Sequence, residues 1–109
     1  RGRGKRTVQA RDRGKSIRMS ANDELEIELK SQHGFYWEPS GPNTCVLMSP
    51  VMGTEAKPGY ETFRCRAQHV GTETISFNLK QDARISKKGS LRTAVPRDFF
   101  FELTVEDHA

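Results

Sequence analysis

The chain has 109 residues, enough for one domain with a single core and too few for two. No stretch approaches the roughly 18 consecutive apolar residues of a membrane-spanning helix, so no membrane partner is expected. The net charge of +4 is uneven: the first 18 residues carry eight basic side chains against Asp12 alone (+7), and the rest carries 10 basic against 13 acidic (−3).

The chain opens on "RGRGKR", read as a disordered basic tail over residues 1–6. Its start at Arg1 suggests a piece of a larger protein or assembly. Arg1, Arg3, Lys5, Arg6, Arg11 and Arg13 form a basic arm, and clustered guanidiniums of this kind suit nucleic-acid phosphates. Two short strand pieces follow, "TVQA" and "SIRM", broken at "RDRGK", where Gly14 can supply the positive φ of a turn. In "ELEIELK", Leu25, Ile27 and Leu29 alternate with Glu24, Glu26, Glu28 and Lys30, which predicts a strand with one buried face.

After the polar turn "SQH", the stretch "GFYWEP" puts Phe35 and Trp37 on one face and Tyr36 on the other. Trp37 is expected to fill the centre between two sheets, where such a ring buries about 150–250 Å². The apolar run "TCVLMSPV" carries Pro50, which stops it or confines it to a sheet edge. Three more alternating segments follow. "YETFRCRA" faces Phe63 and Cys65 inward, "TETISFNL" faces Ile75, Phe77 and Leu79 inward, and "FFFELTVE" does the same with Phe99, Phe101, Leu103 and Val105. Turn residues separate these strands, except across Lys80 to Asp98, a long basic segment with room for an extra edge strand near Leu91 to Val95. The pattern predicts an all-β, immunoglobulin-like antiparallel β-sandwich of about seven to eight strands over residues 7–106, with a tail at 107–109.

No pattern of catalysis is present. His33, His69 and His108 are scattered, and HExxH, CxxC, GxSxG and P-loop spacings are missing, so no enzyme, metal or cofactor is expected. If "TCVLMSPV" and "YETFRCRA" form a hairpin, Cys45 comes nearly opposite Cys65 at about 5.5 Å, within reach of a disulfide. Whether that bond forms is left to the redox compartment.

The order "D-x-G-K-S-I-x-M", "ELEIEL", a short turn into "G-F-Y-W", then "KPGYETFRCRAQHVGTETISFNL" resembles the chagasin-like family of cysteine-protease inhibitors, over roughly Val8 to Val105. The matching anchors are Gly34 and Trp37 after the first hairpin turn, Gly59 before "YETF", and Gly71-Thr72 at a corner. The resemblance implies an immunoglobulin-like sandwich whose loops at one end plug the cleft of papain-like proteases. Where that family carries N-P-T-T-G this chain reads "SQHG", and "LKQDARIS" holds no R-P-W or R-P-F.

The reading is a non-catalytic module that binds a protein partner. The alternatives are an inhibitor of papain-like proteases and nucleic-acid binding through the basic arm. Partner contacts are placed on three loops: Ser31, Gln32, His33 and Gly34; Lys57, Pro58 and Gly59; and Arg84, Lys87, Lys88 and Arg92. Because the third loop offers no aromatic ring to a protease cleft, inhibition is expected to be weak or nil, with an exposed sheet edge as the other contact surface.

Overall fold

The computed structural model describes residues 5–84 and 96–107. Its strands are β1 Lys5–Val8, β2 Ser16–Ser20, β3 Glu24–Lys30, β4 Phe35–Pro39, β5 Val46–Val51, β6 Tyr60–Ala67, β7 Gly71–Gln81 and β8 Asp98–Glu106. They form two four-stranded sheets, in the orders β1-β3-β6-β5 and β2-β8-β7-β4. This is the all-β, immunoglobulin-like sandwich that the alternation implies.

The sheets meet through the predicted faces. Leu25, Ile27, Leu29, Trp37, Phe63, Ile75, Phe77, Phe101 and Leu103 are all buried, whereas Tyr36 and Phe100 lie on the outer side. The period of two fixes this phase, because a shift by one residue would put every leucine of β3 into water. Phe77 sits at the centre, its ring 4.8 Å from Phe63 across the sandwich and 6.4 Å from Phe99 beside it. Trp37 is buried as expected, but on edge strand β4 at the end of the core rather than at its centre, and its indole N–H donates to the carbonyl of Lys30 at 3.1 Å.

Four details differ from the sequence reading. The inner pairings are antiparallel, but β1 runs parallel to β3 and β2 parallel to β8. The break at Gly14 (φ 78°) is as the sequence reading has it, and the two pieces edge different sheets. Lys5 and Arg6, assigned to a disordered tail, already belong to β1, where Lys5 is held by Glu26 at 3.3 Å. The turn after β3 closes no hairpin: β3 and β4 lie in different sheets, and the link crosses between them.

The fourth correction concerns the cysteines. β5 and β6 do form a hairpin, but its register sets Met48, not Cys45, opposite Cys65. The connection holds a 3-10 turn at Gly53–Glu55, which carries the chain three residues past the register that would have aligned the two thiols. Three positions along a strand separate them by about 10 Å, too far for a disulfide. Both thiols are free and buried, and burial, with help from the Glu73 carboxylate, pushes Cys65 up to about 12. Cys45 packs at the corner instead, its sulfur 3.1 Å from where a β-carbon on Gly71 would sit. The extra strand near Leu91 to Val95 lies outside the described residues.

Candidate functional site

Strand direction decides which candidate residues meet. β3 ends at Lys30, β5 ends at Val51 and β7 ends at Gln81, all at the same end of the sandwich. The three links that follow are joined through their backbones. The Ser31 N–H donates to the Gly59 carbonyl at 3.0 Å, and the Asp82 N–H donates to the Gly34 carbonyl at 2.7 Å. Ser31, Gln32, His33, Gly34, Lys57, Pro58, Gly59 and Arg84 are thereby gathered at one end. Lys87, Lys88 and Arg92 lie outside the described residues, as do Arg1 and Arg3.

Each link is tightened locally. Gly34 has φ 84°, a conformation that a β-carbon would strain, and it lets the Phe35 N–H turn back to the Gln32 carbonyl at 3.0 Å. Lys57 bridges the second link to the sheet: its ammonium lies 4.3 Å over the Tyr60 ring and 3.4 Å from the Glu28 carboxylate. At the root of the third link, the Asp82 carboxylate accepts from the Arg84 backbone N–H at 3.0 Å and from its guanidinium at 3.3 Å. Hydrogen bonding by Arg84 holds Asp82 below the usual carboxylate range. The Arg97 guanidinium, 5.0 Å over the Phe35 ring, covers the other side of that root.

Three contributors were not singled out from sequence, although Met52 and Asp82 lie within the candidate loops Met52 to Gly59 and Gln81 to Arg92. Asp82 carried a local signal, since an Asp two residues before the N–H it caps is an Asx-type turn. Met52, on the second link, is 78% exposed and gives this end an apolar tip. Glu61 shares the inward phase of Phe63 at the mouth of the sandwich, and its carboxylate crosses to the other sheet to accept the Trp37 backbone N–H at 3.0 Å. Burial raises the Glu61 carboxyl above its ordinary range, outweighing that hydrogen bond.

The sign follows from proton linkage. A carboxyl with a raised folded value binds its proton more tightly in the native state, so its contribution to stability falls as pH rises through that raised value. Glu61→Gln keeps an oxygen for Trp37 and removes the charge. The variant should match or exceed the parent in thermal midpoint at pH 7, with its advantage shrinking toward pH 4. A variant that loses stability at pH 7 more than at pH 4 would show that the charge itself is stabilising.

Among the described residues, the basic arm is divided between the two ends of the sandwich. Because β1 runs parallel to β3, Lys5 and Arg6 stand at the end away from the three links, whereas Arg11 and Arg13 lie in the β1–β2 crossover beside them. Two of its charges are already met, Lys5 by Glu26 at 3.3 Å and Arg13 by Asp98 at 2.7 Å, and the nearby Arg18 is met by Glu106 at 3.4 Å. The sheet edges are blunted as well. On β4 the Trp37 N–H is taken by Glu61 and Pro39 has none, and on β5 Pro50 interrupts the edge.

No protein-family model matches the chain, and no curated protein matches it in sequence. Solved structures do match in shape. The crystal structure of the cysteine protease inhibitor EhICP2 from Entamoeba histolytica aligns with a TM-score of 0.69 at 16% identity, over 94% of this chain and 96% of that one. The solution structure of amebosin aligns with a TM-score of 0.56 at 13% identity, over 93% and 97%. At these identities the likeness is one of fold alone: the chain shares its β-sandwich with EhICP2 and amebosin.

Proposed function

We propose that this chain inhibits papain-like cysteine proteases by presenting the three linked loops at one end of the sandwich to the protease cleft. One observation carries the reading: the Ser31–Gly59 and Asp82–Gly34 backbone bonds join the loop roots into one preformed surface, on a fold shared with a cysteine protease inhibitor. Preformed loops lose little conformational entropy on docking, and that cost is what defeats a floppy binder. Gly34 and the short link around it form the centre, Lys57 to Gly59 and exposed Met52 one flank, and Arg84 the other.

This departs from the expectation of weak inhibition and edge binding. The departure rests on the bonded loop roots, the apolar Met52 tip and the blunted edges of β4 and β5. The broader reading, a module for some other protein partner, is favoured by the first loop, which reads "SQHG" in place of the family's N-P-T-T-G. Nucleic-acid binding gains nothing from the fold, and the arm's described charges are divided between two ends. Titration against active papain separates the readings: competitive inhibition with a constant near or below about 1 μM supports the proposal, equivalent to about 8 kcal/mol of binding.

A further inference from the structure

We infer that the β1–β2 crossover, Ala10–Lys15, is a fourth contact element at the loop end and engages a carboxylate-bearing patch on the protein that the loops bind. The inference rests on the inhibitor reading and adds a surface to it.

The crossover is held as firmly as the described roots of the three loops. Its 3-10 turn closes through Asp12 N–H to Gln9 carbonyl at 2.8 Å and Arg13 N–H to Ala10 carbonyl at 3.1 Å, and the Asp12 carboxylate caps the Gln9 N–H at 3.0 Å. It is also bound to its neighbours. The Gln9 amide donates to Glu28 at 2.8 Å, the carboxylate that holds Lys57 of the second loop. Arg13 donates to the Asp98 carboxylate at 2.7 Å, where β8 leaves the third loop, and its guanidinium lies 4.8 Å over the Phe100 ring. The Gly14 N–H donates to the Phe100 carbonyl at 2.7 Å. Between crossover and strands lies a cavity of about 100 Å³, walled by Ala10, Leu29, Trp37, Pro96 and Phe99.

What this element presents is unspent positive charge. Arg13 is committed to Asp98 and Phe100, so it positions the turn. Arg11 is exposed, and its guanidinium meets only the Gln9 side-chain oxygen at 2.9 Å, with no carboxylate among the described residues. Lys15 is 60% exposed, and the one carboxylate that pairs with it among the described residues, Asp12, is 4.0 Å away. Lys30 lines the same cavity, is exposed, and makes no ion pair among the described residues. A guanidinium on a rigid turn loses little freedom when it takes a carboxylate, and its fork matches both oxygens. Such a group acts first on the rate of encounter, and salt screens it.

The test uses the full chain and a double variant, Arg11→Glu with Lys15→Glu, against two papain-like proteases, one acidic around its cleft and one basic. Association and dissociation rates are measured at low and high salt. With the acidic protease the variant should associate about tenfold more slowly at low salt, with a flatter salt dependence and an unchanged dissociation rate and thermal midpoint. With the basic protease it should associate no more slowly than the parent. An unchanged rate on the acidic protease, while the parent binds it, overturns this inference alone. A parent chain that binds neither protease overturns the inhibitor reading and this inference with it.

Discussion

Truncating Phe77 to alanine should cost the domain about 3–5 kcal/mol, the range for removing a fully buried aromatic ring from a packed core. The ring is wholly buried, and it touches both sheets through Phe63 and Phe99. Its loss opens a cavity at the centre of the core between the two sheets. Small domains hold about 5–15 kcal/mol in total, so much of the population should unfold at physiological temperature. Phe100→Ala is the matched control: that ring lies on the outer face at 37% exposure, and its removal should cost less than about 1.5 kcal/mol. Urea unfolding of both variants decides the point. Equal losses would mean that the sandwich does not pack as described.

The second large effect is on binding. Gly34→Val places a β-branched residue at φ 84°, in a region that such side chains almost never occupy. The chain must move at the point where the Gly34 carbonyl accepts the Asp82 N–H, so the first and third loops should come apart. Inhibition of papain should fall at least about a hundredfold, because a misplacement of about 1 Å in a preformed site is costly. The strain itself removes about 1–3 kcal/mol of stability, so a control of similar strain is needed. Gly41→Val serves: it has φ 59°, lies in open space, and sits past the opposite end of β4. It should lose comparable stability and keep its inhibition. Equal loss of inhibition in both variants would point to unfolding, and inhibition retained in Gly34→Val would remove the first loop from the site.

The parts legible in the sequence were those written in local alternation. Leu25, Ile27 and Leu29, or Ile75, Phe77 and Leu79, announce their buried face because neighbours on a strand point to opposite sides. Trp37 was legible for the same reason, with Phe35 two residues before it. Alternation gives the phase of a strand but not its register. The Cys45–Cys65 alignment failed because "TCVLMSPV" shows no alternation to fix its phase: the hairpin pairs Met48 with Cys65, an odd shift of three that turns Val46 and Met48 inward and leaves Leu47 exposed. The parallel pairings of β1 and β2 were hidden because no turn joins the partners: Arg13 and Asp98 bond across 85 positions of sequence. The site was legible as loops between strands. That the loops are bonded through Gly59 and Gly34, and that Arg11 stands beside them while Lys5 does not, depends on strand direction, which the sequence pattern does not encode.

The central claim is that the joined loop end occupies a papain-like cleft, and the most direct measurement is steady-state inhibition of active-site-titrated papain at several substrate concentrations. The account predicts competitive inhibition that raises KM without lowering kcat, with a constant near or below about 1 μM. Full papain activity at about 100 μM of the folded chain would contradict it.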